Sequence, residues 1–88
     1  MKLTWDENKR QKTLDERGLD FADTARIFAG PTFDFPDTRR DYGEKRRTCI
    51  GFLDDRMMVV VYVDRGDERR IISLRKANDR ENERYKNR

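Results

Sequence analysis

Met57-Met58-Val59-Val60-Val61-Tyr62-Val63 is an unbroken apolar run in a chain of 88 residues, 44% of which are Asp, Glu, Lys or Arg. A strand with one wet face alternates apolar and polar side chains, whereas a strand covered on both faces does not. The run is rich in β-branched residues and too short for a buried helix. It therefore predicts a central strand, "RMMVVVYVD", with neighbours on both edges and cover on both sides. Asp54-Asp55 before it and "RGDE" after it supply turns, so "RRIISLRK" should return antiparallel and "TCIGFL" should lead in from the other side.

The rest of the chain arranges itself around that strand. "KLTW" is a short strand candidate. "DENKRQKTLDERG" has few apolar residues, and its helix rests on propensity, an N-cap at Thr4 or Asp6, and Gly18 as terminator. In "DFADTARIFAG" Asp20 can cap, and Phe21, Ala25 and Phe28 recur at i, i+4 and i+7 before Gly30-Pro31 stops the helix. Trp5 reads as core and Asp6 as a cap. "TFDFPD" suits an edge strand, where Pro36 is tolerated, and "TRRDYGEKRR" reads as a loop or hairpin. Asn78 and Glu81 have capping-box spacing, opening a C-terminal helix with Ala77 and Tyr85 as its anchors. The order β, α, α, three or four antiparallel strands, α is that of an α+β fold. It forms one domain over residues 1–88, with both early helices on one face of a twisted sheet.

Composition narrows the chemistry. With 34% hydrophobic residues, and roughly 60–65% of unfolded surface buried at this length, the core is small. Residues 1–37 carry six Lys/Arg and eight Asp/Glu, a balance of −2, and residues 38–88 carry fifteen and ten, a balance of +5. The second half is thus the one expected to face a polyanion. Histidine is absent and Cys49 is the single cysteine, which leaves no disulfide, no usual catalytic base and a poor donor set for zinc. No metal or other cofactor is expected. No apolar leader or membrane-length apolar stretch is present, so a reducing cytoplasm fits best.

Arg75 and Lys76 stand between an apolar strand and a helix start, an unusual place for cations because helix N-termini are already positive. Together with free N–H groups they can receive an oxyanion. The competing reading is that strand alternation turns one of the pair to solvent while Asp79 or Glu81 neutralises the other.

"WDENK" at 5–9, "DFADTARIF" at 20–28, "DTRRDYGEKR" at 37–46, and "RIISLRKAN" at 70–78 with "ERY" at 83–85 resemble the BrnT toxin family in order and spacing, nearly end to end. The resemblance implies a compact RelE-like fold and a ribonuclease, free or ribosome-associated, that slows growth. It also implies a cognate BrnA antitoxin with a ribbon-helix-helix half that binds operator DNA and another half that covers the toxin. Operator DNA is then met only through the antitoxin. Many relatives read Asn and then Lys-His-Gly in the first helix, where this chain has Thr13 and Glu16-Arg17-Gly18. A histidine there cannot be essential here. Leu74 stands where the family favours Ala, a packing change.

RNA cleavage without a metal needs a base for the 2′-hydroxyl proton, positive charge on the phosphate and an acid for the leaving 5′-oxygen. Arg75 and Lys76 are candidates to hold the phosphate. In "RRDYGEKRR", Arg46 is the leading candidate, Glu44 can be the base if burial raises its pKa, and Arg40 and Arg47 can hold the backbone. Tyr42 can stack on a base or pack back on the sheet. On the last strand, alternation places Ser73 with Ile71 and Arg75, and Arg70 on the opposite face with Ile72 and Leu74. Two other function classes fit the same residues. One is a non-catalytic RNA- or ribosome-binding module that blocks translation by occupancy. The other is an interaction protein whose basic face serves only an acidic antitoxin.

Overall fold

A computed structural model describes residues 1–39, 41 and 43–86. Its elements are β1 (Lys2–Trp5), α1 (Glu7–Arg17), a 3-10 turn (Phe21–Asp23), α2 (Thr24–Ala29), β2 (Phe33–Pro36), β3 (Arg46–Leu53), β4 (Arg56–Arg65), β5 (Glu68–Lys76) and α3 (Asp79–Tyr85). The strands form one sheet in the order β1-β5-β4-β3-β2. β4 is the middle strand, and Met57 through Val63 are all buried. Each side chain of that size contributes roughly 1.5–3 kcal/mol on leaving water, so this one strand organises the core.

The sheet is larger than the expected three or four antiparallel strands. "KLTW" joins it as a fifth, edge strand and runs parallel to β5, with Leu3 beside Arg69 and Trp5 beside Ile71. The α1 crossover does not carry the chain back to a neighbouring strand, so the parallel pair closes only when β5 arrives at the end of the domain.

Residue-level signals explain the turns. Asp6 accepts from the backbone N–H groups of Asn8 and Lys9 at the start of α1, and Gly18 ends it in a left-handed conformation at φ 68°. Asp54 and Asp55 both take positive φ, 51° and 64°, the geometry of a two-residue hairpin turn that matches strand twist. Asp20 caps the next segment, which begins as a 3-10 turn. The period is therefore nearer three than 3.6. Phe21, Thr24 and Ile27 are buried at i, i+3 and i+6, while Ala25, expected on that face, is exposed.

Two faces result. On one, Phe21 and Ile27 pack on Cys49, Met58, Val60, Tyr62, Ile71 and Leu74, with Trp5 and Phe28 at the margin. On the other, Ile50, Met57 and Val59 meet Phe33, Ala77 and Tyr85. These are the α2 face and the α3 face. The early helices do not share a face as expected. α1 buries no residue. Its last turn is instead tied to the edge of β5, past the end of β1, by the Arg17 guanidinium donating to the Leu74 carbonyl at 2.9 Å.

Candidate functional site

A β-bulge in β5 decides which side chains share the α3 face. Val61 pairs with Ser73 and Tyr62 with Ile71, so Ile72 is the extra residue. Simple alternation fails across it. Ile71 falls on the α2 face with Leu74, while Arg70, opposite Val63, falls on the α3 face with Ser73 and Arg75. The expected grouping of Ser73 with Ile71 and of Arg70 with Leu74 is corrected in both respects.

The α3 face carries a cleft with two ends, which share Arg39, Val61 and Ser73. The α1 end, about 420 Å³, is lined by Lys9, Lys12, Thr13, Glu16 and Arg17 from the helix, and by Arg39, Arg46, Ile72 and Ser73 across from it. Among the described residues lining it, five are cationic and one, Glu16, is a carboxylate. The other end, about 380 Å³, lies between β2 and α3 and is lined by Phe35, Thr48, Arg75 and Glu81 among others. A larger cavity of about 610 Å³ beside the 37–47 segment sets Asp37, Asp41, Glu44 and Asp64 against Lys45, Arg46 and Arg47. Among the described residues that is four carboxylates against three cations, a balance that suits a polyanion less well than the α1 end.

Arg75 and Lys76 do not converge. Glu81 takes the Arg75 guanidinium on both oxygens, at 2.7 and 2.8 Å, and also accepts from the Asn78 backbone N–H at 2.9 Å in a complete capping box. The Arg75 hydrogen bond holds the Glu81 carboxyl below the ordinary range. Lys76 pairs in register with Met58 and lies exposed beside Asp54 and Arg56. The N-terminus of α3 is occupied by its own cap, so no oxyanion site forms between the two cations and the helix.

Arg46 reaches the cleft, but its neighbour Arg47 does not. They point to opposite faces of β3, and Arg47 is bound on the α2 face by Asp34, which also accepts from the Tyr62 hydroxyl. Burial, then Asp34, pushes Tyr62 up to about 12. Glu44 accepts from Arg65 at 2.6 Å and from Arg46 at 3.4 Å. Those contacts hold its carboxyl below the ordinary range, Arg65 foremost, the opposite of the rise a general base would need. Ser73 lines both ends of the cleft, and Arg70 lies further along the same face. Arg40 and Tyr42 lie outside the described residues.

The α1 side of the cleft escaped the sequence reading, although a signal was present. Lys9, Lys12, Thr13 and Glu16 fall at i, i+3, i+4 and i+7, one stripe of a helix. Periodicity among polar residues does not by itself separate a solvated helix face from the wall of a cleft. In "TRRDY" residue type alone does not distinguish Arg39 from its neighbour Arg40. Arg39 forms a bidentate pair with Asp37, at 2.9 and 2.8 Å, on a carboxylate whose side chain is 1% exposed. Arg39 lowers the Asp37 carboxyl and is itself held in place by it. Among the described residues no group of three or more His, Cys, Asp or Glu could hold a metal ion. Nor is any helix among them long and apolar enough to cross a membrane.

Residues 5–81 match the family model described as the ribonuclease toxin, BrnT, of type II toxin–antitoxin systems. The chain belongs to the BrnT family. No curated protein matches it. Membership brings a ribonuclease activity, an RNA substrate and an antitoxin partner. All the residues lining the α1 end of the cleft fall inside the matched span. Glu16 and Arg17 are among them.

Proposed function

We propose that this BrnT toxin is a metal-independent endoribonuclease that binds RNA along the α3 face and cuts it at the α1 end of the cleft. The observation that carries this reading is the charge gathered there: among the described residues five cations line that end against Glu16, with Asp37 and Glu44 as counter-ions to Arg39 and Arg46, in a chain whose net charge is only +3. Such a concentration attracts a phosphodiester backbone far more strongly than the net charge would. The same donor set disfavours a divalent cation, which needs several oxygen ligands and repels guanidinium groups. The five-stranded sheet with flanking helices is read as a RelE-like arrangement extended by the parallel strand β1.

The chemistry follows from the residues present. Arg39 and Arg46 hold non-bridging phosphate oxygens and stabilise charge as the 2′-oxygen bonds to phosphorus. Glu16 takes the 2′-hydroxyl proton. As the bond from phosphorus to the 5′-oxygen breaks, Lys12 returns a proton to the leaving oxygen. The products are a 2′,3′-cyclic phosphate and a 5′-hydroxyl. Glu44 serves as a counter-ion that orients Arg46. A BrnA-type ribbon-helix-helix antitoxin silences the toxin by covering this cleft, in the cytoplasm, and carries it to operator DNA.

Purified toxin incubated with RNA, with and without ribosomes, should cleave equally well in EDTA and leave cyclic or 3′-phosphate ends. Activity lost on chelation and restored by Mg²⁺ would refute the metal-free mechanism. RNA bound but uncut in every condition would favour a module that blocks translation by occupancy.

A further inference from the structure

The β2 end of the cleft has a different character from the cationic end, and the RNA reading leaves it without a role. Phe35 is 37% exposed on an edge strand. Its ring lies parallel to Tyr85 within 11°, with centroids 6.4 Å apart. Tyr85 thus sets the orientation of an aromatic ring that still meets solvent. Thr48 and Ser73 line the same space, and no hydrogen bond to either hydroxyl forms among the described residues.

Arg75 closes this end. A guanidinium has five N–H donors. Glu81 and the Lys76 carbonyl take three of those on Nη1 and Nη2. The edge formed by Nε and the outer Nη2 hydrogen has no partner among the described residues, and it is a planar fork. Glu81 locks the fork in direction without occupying it.

We infer that this end of the cleft is a nucleobase subsite, in which a guanine stacks on Phe35 and presents O6 and N7 to the Nε edge of Arg75. Ser73 lines both ends of the cleft, so the base and its phosphate span one continuous surface. Two parallel acceptors on one edge distinguish guanine from adenine, which offers a donor and an acceptor there. The Thr48 and Ser73 hydroxyls supply further hydrogen bonds to the base or its sugar. The inference rests on the proposal that RNA occupies the α3 face.

The test uses uncleavable 2′-O-methyl cytidine oligonucleotides carrying one central guanosine, adenosine or 7-deazaguanosine, with binding read by fluorescence anisotropy. Wild-type toxin should bind the guanosine oligonucleotide about tenfold tighter than the other two. Phe35→Leu should remove that preference and weaken guanosine binding about tenfold, while Phe35→Tyr, which keeps the stacking face, should preserve both. Equal binding of all three by wild type, with Arg46→Ala weakening them uniformly, would overturn the nucleobase subsite and leave the phosphate cleft standing. Binding of none would overturn the RNA reading of this face and the subsite with it. If Phe35→Leu bound RNA as wild type does but lost affinity for the cognate antitoxin, Phe35 would be an antitoxin anchor and the inference would be wrong.

Discussion

Glu81 shows how one side chain can serve several ends. Its carboxylate closes the capping box of α3, neutralises Arg75 and fixes the direction of that guanidinium. The Asn78–Glu81 spacing was legible in the sequence, and so was the possibility that Glu81 pairs with Arg75. That both are true of the same carboxylate depends on how β5 delivers Arg75 to the helix start, which spacing alone does not determine. The pair is partly exposed, so Glu81→Gln should cost about 1 kcal/mol at neutral pH. Because pairing lowers the folded-state pKa below the ordinary glutamate value of 4.5, the stability it contributes is complete above that value. It is lost as pH falls through the folded value. Urea titrations of wild type and variant should therefore show a gap at pH 7 that narrows at pH 3. A gap of the same size at both would mean that the pair is not what Glu81 contributes.

At the scale of elements, the strands were the easiest to read and their phases the hardest. The apolar run 57–63 announced β4, and its turns announced β3 and β5, because burial on two faces leaves an unmistakable pattern. The bulge at Ile72 leaves none, since its cause lies in the pairing of β5 with β4 and not in β5 alone. One extra residue moved Arg70 onto the cleft face and Ile71 off it. The 3-10 start of the α2 segment shifted the buried positions in the same way, from Ala25 to Thr24 and Ile27. α2 then sits close over β3 because residue 51 lacks a side chain. A Cβ on Gly51 would lie 2.6 Å from the Ile27 Cγ2 and 3.1 Å from the Thr32 Cγ2. Gly51→Ala should consequently destabilise the fold by about 1–3 kcal/mol. Gly30→Ala, whose added carbon would meet only the Ile27 carbonyl at 3.8 Å, should change stability by about 0.5 kcal/mol or less. Thermal melts of the two variants check the contrast, and equal losses would contradict the close packing of α2 on β3.

Across the whole molecule, charge is distributed by face and not by half. The sequence divides into an acidic first half and a basic second half, yet the cationic end of the cleft draws Lys9, Lys12 and Arg17 from the first and Arg39 and Arg46 from the second. A linear count cannot register this, because α1, Arg39 and Arg46 line one cleft only when the sheet has formed. Two arginines of the α2 face are bound within it: Arg47 by Asp34, and Arg69 by Asp64 while stacked over Phe28 and Tyr62. Adjacent residues of one strand therefore separate the two surfaces. Single-turnover cleavage of RNA by folded Arg46→Ala and Arg47→Ala, each well below its melting temperature, is the most direct test that the α3 face is where RNA is cut. Arg46→Ala should slow cleavage about 100-fold, and Arg47→Ala should stay within about threefold of wild type even if it melts earlier. Equal loss in the two variants, or a greater loss at Arg47, would contradict the assignment of the cleft.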